Sequence, residues 1–313
     1  MDGKPHVIFG TGPVGCWTAR SLVDRGLAVR AVNRSGRRPE LMPAEVEVVA
    51  ADASDAGQAV TAAAGAGVVY QAMNPAYDKW EELFPGLQAG ALAAARAAGA
   101  RYVSIENLYM YDSSVVMTED SPQRPVSKKG ELRRRMADEV AAAHARGDVP
   151  ATQLRSADYY GPGVTGSAAG DLVVGRLLAG KKAQVGGSAT QPHSYAYIED
   201  VGRAAAELGI RDEAPGRVWF APHAPAVTQG DMVAAICRDL GRPPALSVVS
   251  PTMMRLVGLF SAGARETVEM LYEFTQPFVV DSSRITGEFG LAATPVDDGV
   301  QRTVAWWTAR GGA

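Results

Sequence analysis

Three closely spaced glycines near the amino terminus have the spacing of a phosphate-binding turn. They follow the short apolar run of residues 6–9 and precede a stretch with helical character. In such a turn the first glycine permits the tight bend, the second lets the backbone approach a pyrophosphate, and the third lets the helix pack closely. The residues of the turn are Gly10, Thr11, Gly12, Pro13, Val14 and Gly15. The pattern predicts a nicotinamide-dinucleotide site, and a tight structural turn is the alternative interpretation.

The residues after the second predicted strand bear on the choice of dinucleotide. An acidic residue there accepts hydrogen bonds from the ribose 2′-hydroxyl of NAD, whereas an arginine can pair with the 2′-phosphate of NADP. This chain instead has Asn33, Arg34 and Ser35, followed by Arg37 and Arg38. The pattern favours NADP(H) over NAD(H), with an ordinary solvated loop as the alternative.

Apolar runs and helical patterns alternate through the first half of the chain. Strands are predicted over residues 6–9, 27–32, 46–50, 68–73, 101–105 and 151–155, and helices over 16–25, 56–64, 83–98 and 128–145. Such alternation is typical of a parallel sheet with crossover helices. We therefore expect an α/β fold, in which residues 1–160 form a Rossmann-type doubly wound parallel sheet that binds NAD(P).

The second half of the chain has a looser pattern. Helices are predicted over residues 169–179, 201–208, 231–240 and 253–272, and short strands over 218–220 and 278–280. Residues 161–313 are therefore expected to form a smaller, mostly helical substrate-binding lobe, interleaved with the end of the sheet.

The composition excludes several other classes of protein. Of the 313 residues, 47% are hydrophobic and 21% charged, and the net charge of −3 gives no drive toward nucleic acid or an anionic membrane. Cys16 and Cys237 are the two cysteines and lack metal-ligand spacing. With no signal-peptide or membrane-spanning run in the sequence, we expect a cytoplasmic monomer or homodimer that acts on a small molecule and holds no metal.

Three further motifs follow the glycine turn along the chain. Asp52 comes after the third strand, residues 155–163 read Arg-Ser-Ala-Asp-Tyr-Tyr-Gly-Pro-Gly, and residues 197–201 read Tyr-Ile-Glu-Asp-Val. Together with the turn they resemble the short-chain dehydrogenase/reductase superfamily, in its extended or atypical branch of NAD(P)-dependent epimerase/dehydratase-like proteins. The resemblance spans residues 6–300. The further cofactor contacts that it implies are Asp52, Ala53, Ala72, Met73, Asn74, Lys129 and Tyr159.

The resemblance also locates the active site, where this chain departs from the family. The family uses a tyrosine four residues before a lysine as its acid–base group. Counting back four residues from Lys129 gives Pro125. Counting back from Lys128 gives Arg124, and neither of these residues can act as the usual acid. Asn107 takes the place of the family's substrate-polarising serine or threonine, and its amide can still donate a hydrogen bond.

Other side chains must then supply the proton. Tyr109 and Tyr111 lie just past the fifth strand, at the carboxyl edge where doubly wound sheets bind ligands, and are the candidate donors. Lys129 is a candidate for binding the ribose hydroxyls, and His193 for a proton shuttle. Packing or surface roles are the alternatives for all four. The candidate substrate contacts are Tyr77, Trp80, Tyr160 and His193.

Three functions are compatible with these residues. The first is an atypical NADP(H)-dependent oxidoreductase that transfers hydride to a small or medium organic substrate, such as an activated carbonyl, imine or enone. The second is a non-catalytic NADP(H)-binding redox sensor, and the third is a nucleotide-sugar epimerase or dehydratase with tightly bound NAD. The missing tyrosine counts most against the third, because oxidising an alcohol requires a well-placed base. The first is therefore the preferred hypothesis.

Overall fold

The computed structural model of the chain describes residues 3–258 and 268–311. The chain divides into two compact units. The first comprises Met1–Met110, Lys129–Arg155 and Val201–Ala221, and the second comprises Tyr111–Lys128, Ser156–Asp200 and Pro222–Ala313. Residues 111–128, predicted to belong to the first domain, fall in the second unit. Residues 201–221 of the predicted lobe belong to the first unit, as the expected interleaving with the end of the sheet allows.

The strands of both units are numbered along the chain. They are β1 (His6–Phe9), β2 (Val29–Asn33), β3 (Glu47–Ala50), β4 (Val68–Gln71), β5 (Arg101–Asn107), β6 (Ala151–Ser156), β7 (Asp158–Tyr160), β8 (Ala183–Gly186), β9 (Pro192–His193), β10 (Tyr195–Tyr197), β11 (Val218–Phe220), β12 (Val227–Thr228) and β13 (Leu246–Val249).

The helices are numbered in the same way. They are α1 (Pro13–Val23), α2 (Ala56–Ala62), α3 (Trp80–Ala98), α4 (Lys128–Ala145), α5 (Arg176–Leu178), α6 (Ile198–Ile210), α7 (Gln229–Asp239), α8 (Pro251–Gly258), α9 (Tyr272–Thr275), α10 (Ser283–Phe289) and α11 (Val296–Gly311). A 3₁₀ turn, Tyr77–Lys79, precedes α3, and a π-helix, Gly170–Gly175, precedes α5.

A seven-stranded sheet forms the centre of the first unit. Its order is β11–β6–β5–β4–β1–β2–β3, and the pairings of β1 with β2 and β4, of β2 with β3, of β4 with β5 and of β6 with β11 are parallel. From β1 the chain first continues to β2 and β3 on one side of the sheet and then crosses to β4 and the later strands on the other side. Ligands bind at such a point of reversal in strand order. The predicted Rossmann-type α/β fold is confirmed.

Small side chains let the helices of the first unit lie close to this sheet. All four residues of β1 and of β4 are buried. On α3, Ala91, Ala94 and Ala95 are fully buried in the same core. The helix ends at Gly99, in the left-handed conformation that glycine adopts without strain. The alanine-rich pattern therefore serves helix formation and close packing.

The second unit has a core of its own, and two of its predicted elements differ in the structure. Residues 169–179 form the π-helix and α5 instead of one α-helix, and the Asp171 N–H at the start of the π-helix bonds to the Thr165 carbonyl at 2.7 Å. Residues 278–280 make two isolated bridges, through Phe278 and Val280, instead of a strand. Residues 259–267 of the predicted helix over 253–272 lie outside the described residues. The core residues include Tyr160, Val173, Leu177, Tyr197, Met232, Ile236 and Val304.

Membrane insertion finds no support in the helices that the structure describes. Over residues 3–258 and 268–311, every helix is too short or too polar to span a bilayer.

A buried histidine makes the first unit sensitive to pH. His6 opens β1, and its Nδ1 lies 2.9 Å from the Tyr70 hydroxyl. Burial lowers the pKa of His6 from 6.5 to about 4. Burial disfavours the protonated form of His6, so the folded protein holds the neutral imidazole. The contribution of the neutral imidazole to stability is complete above pH 6.5 and is lost as the pH falls toward 4.

We expect this group to lower the free energy of unfolding by about 3 kcal/mol between pH 7 and pH 4, because each tenfold change in proton affinity corresponds to about 1.4 kcal/mol. The variant His6→Gln keeps a hydrogen-bond acceptor for Tyr70 and should lose that part of the pH dependence. Urea unfolding of both proteins at the two pH values measures the difference. An identical pH dependence in the two proteins would contradict the expectation.

Candidate functional site

Two glycines of the turn after β1 are required by the fold itself. Gly10 has a φ of +105°, and a Cβ there would lie 2.6 Å from the Ala72 carbonyl carbon. A Cβ on Gly15 would lie 2.0 Å from the Gly10 carbonyl oxygen. These glycines let β1, β4 and α1 approach one another more closely than any side chain allows.

Gly12 has a different environment. Its φ of −70° suits any residue, and among the described residues no atom lies within 4 Å of where its Cβ would be. Gly12 caps α1 without a side-chain hydrogen bond, and the first helical turn carries no acidic side chain. The turn is therefore a cradle that a Cβ would fill, facing backbone N–H groups that favour an anion. These features fit the pyrophosphate of a dinucleotide.

A cavity of about 660 Å³ adjoins the turn. Its lining comes from Thr11 of the turn and from the segment after β2. The lining residues are Thr11, Asn33, Arg34, Ser35, Arg37, Arg38 and Pro39. The structure thus brings the predicted phosphate turn and the predicted ribose-recognition residues to one place.

Asn33 holds this cavity in shape. Its Nδ2 donates to the Thr11 hydroxyl at 3.0 Å and to the Arg37 carbonyl at 2.9 Å. Its Oδ1 accepts from the backbone N–H of Ser35 at 3.0 Å and from the Ser35 hydroxyl at 3.1 Å. Both ends of the amide therefore tie the loop to the glycine turn.

The three arginines of the cavity have different environments. Arg38 donates to the carbonyls of Pro43 and Val46, at 2.5 and 2.6 Å, and so braces its own loop. Arg34 and Arg37 are exposed at the cavity. Two hydrogen bonds from Ser54, and then the charge of Arg34, lower the pKa of Asp52. The positive charge of Arg34 is therefore felt at Asp52, another predicted cofactor contact.

The remaining predicted cofactor contacts lie on three segments. Ala72 donates its N–H to the Phe9 carbonyl at 2.8 Å, beside Gly10, and Met73 and Asn74 follow it. Ala53 is buried. In the second unit, the Tyr159 hydroxyl accepts a hydrogen bond from Ser156 at 2.9 Å. Their roles toward a cofactor stay predictions.

A second cluster of predicted residues lies at the end of β5 and just beyond it, in the first unit. The Asn107 side-chain oxygen accepts a hydrogen bond from the Tyr109 N–H at 3.3 Å. This contact turns the amide so that its NH₂ end remains as the donor. Asn107 is partly buried, and its role toward a substrate oxygen stays a prediction.

Tyr109 belongs to an aromatic group with Tyr77 and Trp80. Tyr77 donates its hydroxyl hydrogen to the Tyr109 hydroxyl at 2.7 Å, and the Trp80 ring lies 4.8 Å from Tyr77 and 6.1 Å from Tyr109. The Lys129 ammonium lies 4.9 Å from the centre of the Tyr77 ring, and this lysine is 5% exposed. Lys128 is exposed instead, so Lys129 is the one of the two that contacts this cluster.

The other predicted catalytic residues are deeply buried in the second unit. Tyr111 is 1% exposed, whereas Tyr109 is only partly buried, which favours Tyr109 of the two as the donor. His193 is also 1% exposed. Its Nε2 lies 3.0 Å from an Asp158 carboxylate oxygen, and its Nδ1 lies 3.1 Å from the Glu273 carbonyl. Tyr160 packs between Tyr195 and Tyr197. These positions favour packing roles for His193 and Tyr160, and their contacts with a substrate stay predictions.

A buried ion pair beside Asn107 escaped the sequence analysis. The Arg155 Nε lies 2.8 Å from a Glu106 carboxylate oxygen, and both side chains are 1% exposed. The hydroxyl of Ser104 and the amide of Gln153 donate to the other Glu106 oxygen, at 2.9 and 3.2 Å. The available signal was an acidic residue near the end of β5 and a basic residue near the end of β6.

Metal chemistry receives no support from this arrangement. Within the part of the chain that the structure describes, no three histidine, cysteine, aspartate or glutamate side chains form a group suited to a metal ion.

The model of the NAD dependent epimerase/dehydratase family matches residues 7–217. No protein of curated function has a sequence that matches this chain.

Solved structures match the fold over nearly the whole chain. The dTDP-glucose 4,6-dehydratase DesIV from Streptomyces venezuelae, with NAD bound, is 18% identical, with 98% of each chain covered and a TM-score of 0.79. The UDP-glucuronic acid 4-epimerase from Bacillus cereus, in complex with UDP-glucuronic acid and NAD, is 16% identical, with 98% of this chain and 99% of that chain covered and a TM-score of 0.78. MoeE5 in complex with UDP-glucose and NAD is 21% identical, with coverages of 99% and 100% and a TM-score of 0.75. At these identities the likeness concerns the fold.

Proposed function

Because the chain belongs to the NAD dependent epimerase/dehydratase family, we propose that it binds a nicotinamide dinucleotide and catalyses hydride transfer at a carbon of a small or medium organic substrate. The observation that carries this proposal is Gly12. The backbone angles and the open space around Gly12 permit any side chain, so a close-approaching ligand explains the glycine. When bound, the dinucleotide supplies or accepts the hydride.

Residues at the end of β5, just beyond it and at the start of α4 have the remaining roles. Asn107 donates its amide hydrogen to the substrate oxygen and so stabilises negative charge that develops there. Tyr109, two residues farther along, exchanges a proton with that oxygen. Lys129 contributes a positive charge beside the aromatic group. Each of these groups lies in the first unit, the unit that carries the glycine turn.

The cavity next to the turn supports NADP(H) as the dinucleotide. Arg34 and Arg37 present guanidinium groups there, and Ser35 presents a hydroxyl. The amide of Asn33 stands where NAD-binding proteins place a carboxylate. Guanidinium groups form strong, charge-assisted hydrogen bonds with a phosphate. A dissociable NADPH suits an oxidoreductase that reduces an activated carbonyl, imine or enone.

A nucleotide-sugar epimerase or dehydratase with bound NAD is the second candidate, and the comparisons favour it over the reductase. The matching family is one of NAD-dependent epimerases and dehydratases. DesIV and the Bacillus cereus epimerase, which share the fold, act on nucleotide sugars and hold NAD. The absence of a tyrosine four residues before Lys128 or Lys129 counts against this candidate.

Calorimetric titration of the dinucleotide-free protein with NADPH and NADH tests the cofactor. We expect Arg34→Ala to weaken NADPH binding about tenfold to a hundredfold, the effect of losing one hydrogen bond to a charged group. NADH binding should stay unchanged, since NADH lacks the 2′-phosphate. The control is Arg135→Ala, which removes an exposed arginine of α4. Preferential binding of NADH by the unaltered protein would overturn the NADP(H) assignment, and binding of neither would overturn the proposed function.

Two assays then separate the two candidates. In the first, NADPH oxidation is followed with a panel of activated carbonyls, imines and enones. In the second, UDP-glucose, UDP-glucuronic acid and dTDP-glucose are incubated with the protein and NAD, and the sugars are resolved by chromatography. NADPH oxidation without sugar conversion supports the reductase, and sugar conversion supports the epimerase or dehydratase.

A further inference from the structure

Two phenol groups from distant parts of the first unit share a hydrogen bond. Tyr77 lies on the 3₁₀ turn after β4, and Tyr109 lies just past β5. Their hydroxyl oxygens are 2.7 Å apart, and Tyr77 is the donor. The hydroxyl hydrogen of Tyr109 is therefore directed away from Tyr77. When Tyr109 gives up its own proton, the hydroxyl proton of Tyr77 can therefore move along the hydrogen bond and replace it.

A buried cation lies beside Tyr77, the donor of this hydrogen bond. The Lys129 ammonium is 4.9 Å from the centre of the Tyr77 ring, and its burial weakens screening by water. Opposite charge at such a separation favours the ionised form of an acid. A phenolate on Tyr77 thus has a counter-charge that is already in place.

We propose that Tyr77 and Tyr109 form a two-tyrosine proton relay, with Lys129 as its counter-charge, in place of the single tyrosine that is missing before the lysine. The inference rests on the proposed hydride transfer. In the reductive direction Tyr109 gives its phenolic proton to the substrate oxygen, which becomes a hydroxyl, and the hydride comes from the reduced dinucleotide. Tyr77 gives its proton to Tyr109 and becomes a phenolate beside Lys129. A proton from solvent then restores Tyr77, which is partly exposed.

Other charged groups lie on the segments that carry Tyr77 and Lys129. Asp78 and Lys79 lie on the same turn and are exposed, and Lys79 is paired with Glu82 at 3.0 Å. From α4, the Arg133 guanidinium lies over the Phe84 ring, 4.5 Å from its centre. Among the described cations, that of Lys129 lies over the Tyr77 ring.

The relay can be tested without a substrate, because tyrosinate absorbs near 295 nm. The chain has ten tyrosines, and burial raises the pKa of five of them so far that they remain protonated at moderately alkaline pH. These five are Tyr70, Tyr102, Tyr160, Tyr195 and Tyr197. A pH titration of the dinucleotide-free protein therefore reports mainly on the others, including Tyr77 and Tyr109.

In the unaltered protein we expect the pair to lose its two protons in separate steps, because the first phenolate is held by the remaining phenol. Either Tyr77→Phe or Tyr109→Phe should abolish the earlier step, although each variant keeps one phenol. Lys129→Met should move the earlier step upward by about one pH unit, while the control Lys79→Met should leave it in place. Circular dichroism verifies that each variant is folded.

The relay is overturned if each phenylalanine variant simply loses one independent tyrosinate, or if Lys129→Met titrates like the unaltered protein. Calorimetry with NADPH and NADH on the same samples keeps the two proposals separate. If the protein binds a dinucleotide but Tyr77 and Tyr109 titrate independently, only the relay is overturned. A protein that binds neither dinucleotide overturns the proposed function, whatever the tyrosine titration shows.

Discussion

Replacing Gly12 with valine is expected to abolish dinucleotide binding and leave the protein folded. The backbone at Gly12 accommodates a side chain, and the added atoms would occupy the space in front of the α1 N–H groups. Excluding two charge-assisted hydrogen bonds, at about 1.5 kcal/mol each, weakens binding about a hundredfold or more. Replacing the glycine at the N-cap of α1 should lower the free energy of unfolding by only about 1 kcal/mol.

Gly15→Ala should instead lower the stability of the fold. Its Cβ would lie 2.0 Å from the Gly10 carbonyl oxygen, so α1 and β1 must separate, at a cost of about 1–3 kcal/mol or more in the free energy of unfolding. Calorimetry with NADPH and urea unfolding of both variants measure the two effects. A control is Gly287→Val in α10, where the described residues leave open space around the glycine. Undiminished NADPH binding by the folded Gly12→Val protein would refute the role given to Gly12.

Replacing Glu106 with alanine is expected to cause the largest loss of stability of any variant considered. The carboxylate of Glu106 is buried with the Arg155 guanidinium and accepts hydrogen bonds from Ser104 and Gln153. Removing one partner of a buried ion pair leaves a charge in a medium that solvates it poorly, at a cost of about 3–5 kcal/mol. Urea unfolding measures the loss.

A double variant separates the charge effect from the effect of lost volume. Replacing both partners, by Glu106→Leu with Arg155→Met, removes both buried charges and should recover much of the stability that Glu106→Ala loses. As a surface control, Asp297→Ala breaks the exposed pair with Arg238 and should cost no more than about 1 kcal/mol. A loss of that small size for Glu106→Ala would show that the buried pair contributes little. Because Glu106 precedes Asn107, the pair also fixes the end of β5 from which Asn107 projects.

The sequence predicted the sheet and the phosphate turn because their signals are local. Apolar runs of four to seven residues alternate with helical periodicity, and each helix prediction depends on neighbouring residues only. Helix α4 was predicted at its observed bounds, Lys128–Ala145, and Gly99 marked the end of α3. The resemblance to the epimerase/dehydratase-like branch was confirmed by the family match. The preference for NADP over NAD stays a proposal, since it depends on Arg34 contacting a phosphate.

Packing decided which of several equivalent residue types reaches the site. Tyr109 and Tyr111 are interchangeable in a sequence argument, as are Lys128 and Lys129, but burial distinguishes them. The sequence likewise allowed a shuttle role for His193, which the structure encloses between Asp158 and the Glu273 carbonyl.

The sequence by itself therefore determined the fold class, the family and the position of the glycine turn. Only the tertiary structure showed that Gly10 and Gly15 serve the fold while Gly12 leaves space for a ligand. It alone joined Tyr77 to Tyr109 across 32 residues and Glu106 to Arg155 across 49. The physical reason is that propensity and periodicity act between neighbours along the chain, whereas such pairs form only when parallel strands and their helices bring distant segments to one edge of the sheet.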